Sequence, residues 1–289
     1  MISALSERVW KHWISVTRSR CHLHFELEGG DLGRHVICGL NTGRRTIAGV
    51  NADVDESPSV ILEVGSSVGF NCLALAESFP EARVVGIEQD REACKVGEVM
   101  SKDLAMPNIL FVQGVGECMP FPDSSFDWIV CHTVIEHVCN VNACIAEMAR
   151  VLRPGGYLHL DAPNYLWPWE PHLRIVIPPL CPKPFMRFFA RLQGAGRNVS
   201  YAEHLQLVHP RWIEQCFTDH GLSWVNRFEQ KLNQASSGDL KHIVAYRSLA
   251  QLFVFLQMAG VGPMLIASIL RLGLYPSLLY TAQKPLKVP

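Results

Sequence analysis

Short apolar runs alternate with helical stretches between residues 58 and 163, and this alternation constrains the fold more than any other feature of the chain. There are five such runs, from Val60–Leu62 to Tyr157–Asp161, and all but the last contain β-branched residues. Continuous apolar strands that alternate with helices are typical of a parallel sheet covered on both faces. Two further strands are expected at Leu222–Phe228 and Ser277–Pro285. The sequence therefore predicts an α/β fold with a doubly wound, mostly parallel seven-stranded sheet, Rossmann-like, with helical insertions.

Composition excludes several classes of function. The 289 residues carry a net charge of −1, and 48% of them are hydrophobic. Proteins that bind nucleic acid through its phosphates are far more basic, so we expect no nucleic-acid partner. The ten cysteines include no Cys-x-x-Cys pair, so a structural zinc site is not expected and no metal site is predicted. The N-terminus lacks the continuous apolar segment of a secretory signal, and we expect a cytoplasmic protein with reduced thiols.

The segment Val60–Gly69 carries the clearest chemical signal. An apolar strand runs into Glu63, and a turn with Gly65 and Gly69 follows. Glycines would let the backbone pass close to a ligand, and the helix that begins at Phe70 would point its N–H groups at it. The pattern is not the G-x-G-x-x-G of dinucleotide-binding loops, which argues against a dehydrogenase. An acid before the turn would repel a pyrophosphate and suits a ligand with an ammonium group.

A second acid, Glu88, ends the next predicted strand, 25 residues after Glu63. A carboxylate at the tip of the second strand can accept hydrogen bonds from both hydroxyls of a ribose, as the corresponding acid does in dinucleotide-binding folds. The second acid therefore indicates that the ligand contains a nucleoside.

These motifs resemble those of the class I S-adenosylmethionine-dependent methyltransferases of the small-molecule type, over about residues 58–163. Three further segments match the family in order and spacing, namely Gly114–Asp127, Val134–Val138 and Arg150–Tyr157. The resemblance implies S-adenosylmethionine as the cofactor. It also implies methyl transfer to a small or lipid-like acceptor, with O-methylation favoured.

The resemblance implies ten cofactor-binding residues. The acid of the first strand and the loop after it would hold the methionine part, and the acid of the second strand would hold the ribose. Residues after the second and third strands would flank the adenine, and the end of the fourth strand would lie beside the sulfonium. In that order, the residues are Glu63, Gly65, Ser67 and Gly69; Glu88; Gln89, Gly116 and Glu117; Cys131 and His132.

The sequence departs from the family pattern at two positions. Ser67 stands where the loop usually has its middle glycine, and Val115 stands where an aspartate usually binds the adenine amino group. These departures leave a second class of function open, a methyltransferase-like protein that binds the cofactor without catalysing transfer.

Four residues are candidates for catalysis or for contact with the acceptor. His137, after the fourth strand, could take a proton from the acceptor, or it could serve only in capping and packing. Asp161 ends the fifth strand and could orient that histidine. His172 and His204 could contact the substrate from the segments that follow the core, or they could be ordinary loop and cap residues.

The chain divides into three parts on this interpretation. Residues 1–57 are a lead-in, with an amphipathic helix over residues 1–20 and a loop or hairpin over residues 21–57. Residues 58–163 are the cofactor-binding methyltransferase core. Residues 164–289 would supply a Pro-rich insert that caps the substrate, the last strands and an apolar helical insertion. Five aromatic residues of the insert either line the acceptor site or pack the insert itself: Trp167, Trp169, Phe185, Phe188 and Phe189.

Two segments raise the question of a membrane. Residues 248–270 are uncharged but are interrupted by Gly260–Pro263, which makes a spanning helix unfavourable. The N-terminal helix combines Trp10 and Trp13 with basic residues, a composition that suits a bilayer surface. Either both segments make a peripheral membrane contact, or they form a lid over the pocket.

Overall fold

The computed structural model describes residues 4–21, 32–51, 57–195, 204–230 and 262–286. Seven strands in this part of the chain form one sheet. The strands are β1 (Val60–Val64), β2 (Arg83–Glu88), β3 (Ile109–Gln113), β4 (Phe126–His132), β5 (Leu152–Pro163), β6 (Ser223–Asn226) and β7 (Ser277–Gln283). The helices are α1 (Ala4–Cys21), α2 (Leu32–Asn51), α3 (Phe70–Ser78), α4 (Arg91–Asp103), α5 (Val141–Val151), α6 (Lys183–Leu192), α7 (Pro210–Asp219) and α8 (Gly262–Leu272).

The strand order is β3-β2-β1-β4-β5-β7-β6, which confirms the predicted doubly wound sheet. Strands β1 to β5 run parallel, and β7 runs antiparallel to both β5 and β6. The order reverses between β1 and β4. In such sheets a cleft opens beyond the carboxyl ends of the two central strands, and ligands bind there.

Both faces of the sheet are buried, which explains the continuous apolar runs of the sequence. Successive residues of a strand point to opposite faces. In β1, Leu62 and Val64 belong to the same buried cluster as Ile145 of α5. The intervening Ile61 belongs to a second cluster, with Leu75 of α3.

The predicted loop or hairpin over residues 21–57 is wrong, because α2 occupies Leu32–Asn51. Two of its glycines, Gly39 and Gly43, are sites of close contact with the start of α3. A Cβ atom on Gly39 would lie 2.2 Å from the Phe70 ring, and one on Gly43 would lie 2.6 Å from the Phe70 carbonyl oxygen. The residues that resemble a turn therefore allow α2 to pack tightly against α3.

The tight crossing of α2 and α3 gives a stability prediction. Gly43→Ala should destabilise the protein by about 1–3 kcal/mol, because backbone must move to make room for the methyl group. Gly49→Ala is the matched control on the same helix, since nothing lies within 4 Å of its Cβ position. There, alanine should stabilise by about 0.5–1 kcal/mol through helix propensity. Urea unfolding measures the change in the free energy of unfolding for both variants. Equal changes would contradict the tight contact of α2 with α3 at Gly43.

Helix α1 is amphipathic, as predicted, and its apolar face packs on the domain. Trp10, Trp13 and Ile14 are buried in one cluster with Val68 and with Val96 of α4. These two tryptophans are thus covered by protein. Within the described ranges, no helix combines the length and the apolar character needed to cross a membrane.

The carboxyl-terminal part adds the last two strands to the sheet. As predicted, a long segment lies between β6 and β7, and α8 occupies its end. Residues 248–261 of the uncharged stretch lie outside the described residues. Buried Asn164, just after β5, donates hydrogen bonds from its side-chain amide to the carbonyls of Gly273 and Tyr275. This contact ties the start of the Pro-rich insert to the chain entering β7.

Candidate active site

The loop after β1 has a left-handed backbone at three positions. The φ angles are 68° at Gly65, 48° at Ser67 and 89° at Gly69. The backbone N–H groups of Gly65 and Ser66 both donate to the Ile87 carbonyl, at 2.9 and 3.0 Å. Serine at the middle position therefore keeps the conformation that a glycine would adopt, at a cost of about 1–2 kcal/mol.

The sequence predicted that Gly65 and Gly69 let the backbone pass close to a ligand. The structure gives a different reason for glycine at these two positions. A Cβ atom on Gly65 would lie 2.5 Å from a methyl group of Val134, and one on Gly69 would lie 2.5 Å from the Phe111 ring. The space beside each glycine is therefore filled by the protein itself, not left open for a ligand. The loop needs glycine for its φ angles and for this packing.

Glu88 joins the loop after β1 to the segment that follows β2. Its carboxylate accepts a hydrogen bond from the N–H of Ser67 at 2.9 Å and another from the N–H of Asp90 at 2.9 Å. The side chain is half-buried at the tip of β2. A carboxylate offers about four acceptor positions, so about two remain for a ligand.

Glu63 is buried near the start of α3. The thiol of Cys72 donates to its Oε2 at 2.9 Å, and burial raises the pKa of Glu63 to about 7 against the lowering effect of Cys72, Asn71 and His132. No Lys or Arg of the described segments forms an ion pair with it. A buried carboxylate whose closest partners are a thiol and an amide is suited to a cationic ligand group.

The residues predicted to flank the adenine lie in two exposed or half-buried loops. The backbone carbonyl of exposed Gln89 accepts a hydrogen bond from Gln113, at 3.3 Å. A Cβ atom on Gly116 would lie 2.7 Å from the sulfur of Cys144. The carboxylate of Glu117 accepts from the N–H of Cys139 at 2.7 Å, so it ties this loop to the segment before α5.

Arg150 fixes the same loop from the opposite side. Its guanidinium donates to the backbone carbonyls of Met119 and Phe121, at 3.1 and 2.8 Å, and pairs with Glu147 and Asp123. The predicted turn motif that contains this arginine gave no hint of the contact, because Met119, Phe121 and Asp123 lie about thirty residues earlier in the chain.

Asp161, on β5, pairs with His132 at the end of β4; a role of Asp161 in orienting His137 stays a prediction. The distance between Nε2 of His132 and the Asp161 carboxylate is 3.3 Å. The parallel register of β4 and β5 sets these two residues side by side. Burial alone would lower the pKa of His132, but Asp161, Glu63 and Glu136 together raise it. Cys131, next to His132 on β4, is fully buried, and its predicted contact with the cofactor stays a prediction.

Three side chains form a compact cluster beyond β4. Oε1 of Glu136 lies 3.7 Å from Nε2 of His137 and 3.7 Å from Nε2 of His172. Glu136 is 0% exposed, and among the described residues neither of its carboxylate oxygens has a hydrogen-bond partner. Burial raises its pKa to about 7, whereas burial and His172 lower the pKa of His137 to about 4. The sequence predicted functional roles for His137 and His172 separately. In the structure these two residues are in contact.

Glu170 supports this cluster, and sequence reasoning missed it. Its buried carboxylate accepts hydrogen bonds from Nδ1 of His172, at 2.6 Å, from the Leu173 N–H and from the Tyr165 hydroxyl. The sequence Glu-Pro-His, with an acid two residues before a histidine, was the available signal. The bond fixes the tautomer of His172 and turns its Nε2 toward Glu136.

His204 is exposed and has a different setting. It lies two residues before Gln206, whose N–H donates to the Glu136 carbonyl at 2.7 Å. Of the aromatic residues in the insert, Trp169, Phe185 and Phe188 are largely exposed, whereas Phe189 packs against the core. Whether these residues line the acceptor site or pack the insert stays open.

Comparison with known proteins agrees with this architecture, a doubly wound sheet with acids at the tips of β1 and β2. Residues 62–160 match the family model of the methyltransferase domain. The chain is 32% identical over 96 residues to an uncharacterized methyltransferase, YcgJ, of Bacillus subtilis. It is 26% identical over 174 residues to the demethylmenaquinone methyltransferase of Listeria welshimeri. The matched segments cover 33% and 57% of this chain, and 37% and 70% of those relatives.

A solved structure shows the same fold. Phosphoethanolamine N-methyltransferase 2 of Haemonchus contortus, in complex with S-adenosyl-L-methionine, superposes with a TM-score of 0.53 at 15% identity, covering 83% of this chain and 52% of that one. Residues 62–160 are therefore a class I methyltransferase domain, of the family that uses S-adenosylmethionine.

Proposed function

We propose that this protein transfers a methyl group from S-adenosylmethionine to an oxygen atom of a small or lipid-like acceptor. The observation that carries the proposal is the pair of acids at the tips of β1 and β2, Glu63 and Glu88, with the His137 cluster at the same edge of the sheet. The name of the Listeria relative, a demethylmenaquinone methyltransferase, favours a quinone as the acceptor.

The cofactor supplies an electrophilic methyl group on a sulfonium ion, which becomes a neutral thioether on transfer. Glu63 would bind the ammonium group of its methionine part, and the two free acceptor positions of Glu88 match the two hydroxyls of its ribose. The main contribution of the site to the rate would be alignment of the two reactants and exclusion of water. His137, in the loop after β4, would accept the proton of the acceptor hydroxyl.

Glu88→Gln tests the ribose contact. We expect the dissociation constant for S-adenosylmethionine to rise by about 10- to 100-fold, because hydrogen bonds to a charged group contribute about 1.5–3 kcal/mol. Isothermal titration calorimetry measures the change, and Glu98→Gln, at an exposed position on α4, is the control. An unchanged dissociation constant in Glu88→Gln would refute the ribose assignment.

Cofactor binding should depend on pH through Glu63. An ammonium group pairs with the ionised carboxylate, and the pKa of Glu63 in the free protein is about 7. Affinity should therefore be constant well above pH 7 and fall as the pH drops below 7, by up to about tenfold per pH unit. The groups that face this carboxylate are Cys72 and Asn71 of α3 and His132 of β4. Protonation of His132 would also disfavour a cationic ligand. The test therefore needs a variant that removes the Glu63 carboxylate and keeps His132.

Titration calorimetry from pH 5.5 to 8.5 measures this dependence, and Glu63→Gln removes the carboxylate without removing His132. The part of the pH dependence that comes from Glu63 should disappear in the variant. The same slope in both proteins would assign the effect to His132 instead.

The alternative is a methyltransferase-like protein without catalytic activity. A screen with labelled cofactor over phenolic, quinone, sugar and lipid acceptors separates the two functions. Cofactor binding without transfer to any of them would favour the alternative, and the absence of cofactor binding would exclude both.

A further inference from the structure

We propose that Glu136, His137 and His172 bind a divalent transition-metal ion. No metal site was expected from the sequence because the chain has no Cys-x-x-Cys pair, but the ligands here are one acid and two histidines. The ligand atoms of the three side chains all lie within 4.8 Å of one another. They come from two segments that are distant in sequence, the loop after β4 and the Pro-rich insert.

The distances suit coordination of a single ion. Protein ligands lie about 2.0–2.2 Å from Zn²⁺, so two ligands of one tetrahedral ion are about 3.5 Å apart. The Glu136 Oε1 atom is 3.7 Å from Nε2 of each histidine, slightly too far for a hydrogen bond and close to this separation. Small side-chain rotations would bring the three atoms onto one ion.

The burial and hydrogen bonding of the Glu136 side chain support the metal site independently of the distances. Its side chain is 0% exposed, and within the described part of the chain neither carboxylate oxygen is hydrogen-bonded. Buried carboxylates are normally hydrogen-bonded or paired with a charge, because burial without a partner costs several kcal/mol. A cation held between Glu136 and the two histidines would supply that partner.

Glu170 gives the cluster a supporting layer that is typical of metal sites. A histidine that ligates a metal usually donates its other ring N–H to a carboxylate, which fixes the tautomer and the ring orientation. Here Nδ1 of His172 lies 2.6 Å from Glu170, so Nε2 is left to face Glu136. The Leu173 N–H and the Tyr165 hydroxyl in turn hold the Glu170 carboxylate.

The ligand set indicates the class of metal. Two imidazoles and one carboxylate suit Zn²⁺, Co²⁺, Fe²⁺ or Mn²⁺, whereas Mg²⁺ prefers oxygen ligands. Three protein ligands leave a coordination position open, as in catalytic sites. That position can take the oxygen of an acceptor.

The role of the ion in catalysis rests on the proposed function. A hydroxyl bound to the ion would lose its proton to water more readily, because the cation lowers its pKa. The deprotonated oxygen of the acceptor would form a bond to the methyl carbon of the cofactor as the bond between sulfur and that carbon breaks. His137 would then act on the acceptor through the ion, as a ligand.

Titration of the metal-free full-length chain with Co²⁺ tests the site without any assay of activity. We expect one ion to bind per chain, with the absorption spectrum of nitrogen and oxygen ligands, and Zn²⁺ to displace it. Glu136→Gln and His172→Gln should weaken binding by at least tenfold, whereas His12→Gln, at an exposed position on α1, should bind as the unmodified protein does. Circular dichroism checks that each variant is folded, and His137→Gln replaces any variant that is not.

A spectrum with thiolate bands, equal binding in the cluster variants, or no binding would overturn the metal site. Calorimetry with S-adenosylmethionine on the same samples keeps the two proposals apart. Co²⁺ binding without cofactor binding would refute the proposed function alone, and cofactor binding without Co²⁺ binding would refute the metal site alone.

Discussion

Replacing His137 by alanine is expected to lower the rate of methyl transfer by about 10²- to 10⁴-fold, the usual cost of losing a general base. The affinity for S-adenosylmethionine should stay the same, because the acids that would bind the cofactor lie on β1 and β2. Single-turnover transfer of a labelled methyl group measures the rate, and titration calorimetry measures the affinity. The large effect is expected whether the imidazole takes the proton itself or holds a metal ion that activates the acceptor.

His12→Gln is the control for this experiment, because this exposed side chain lies on α1. A rate within a few-fold of the unmodified protein in His137→Ala would make His137 structural. His172 and His204 would then be the next residues to replace.

Replacing Glu63 by alanine is the second change with a large expected effect. Removal of one partner of a buried charge pair costs about 2–5 kcal/mol, so S-adenosylmethionine should bind at least about 30-fold more weakly. The fold should survive, because Glu63 is a buried ionisable group without a Lys or Arg partner in the described ranges, and such groups add little stability.

Calorimetry measures the loss, and circular dichroism confirms the fold. Glu81→Ala, at an exposed position just before β2, is the matched control. Wild-type affinity in Glu63→Ala, together with wild-type affinity in Glu88→Gln, would remove the basis for the proposed cofactor site.

Local sequence patterns predicted the core of the fold but not the packing around it. The strands β2 and β3 are two of the five runs that the sequence predicts, because both are apolar runs between clear turn signals. Helix α2 was missed, since Asn41-Thr42-Gly43 is typical of a turn, although Gly43 in fact lies where α2 crosses α3. Only the position of Phe70 distinguishes the two, and that contact is not local.

In the site, too, local sequence predicted some residues, whereas others depend on contacts between distant segments. Glu63 and Glu88 could be placed at strand ends because each acid directly follows its apolar run. The partner of Asp161 could not be predicted, since it depends on the register of β5 against β4. Glu170 was invisible as a supporting residue because its role requires His172 to face Glu136 across the insert. The division of the chain at residues 57 and 163 stays a prediction.

The bridge that Glu88 makes between Ser67 and Asp90 has a consequence for the kinetics of ligand exchange. Because two backbone hydrogen bonds already fix both loops, an arriving ligand finds them in place and spends little free energy on ordering them. Encounter would then be limited by diffusion and orientation rather than by loop closure. Among related ligands, differences in affinity would therefore appear as differences in residence time.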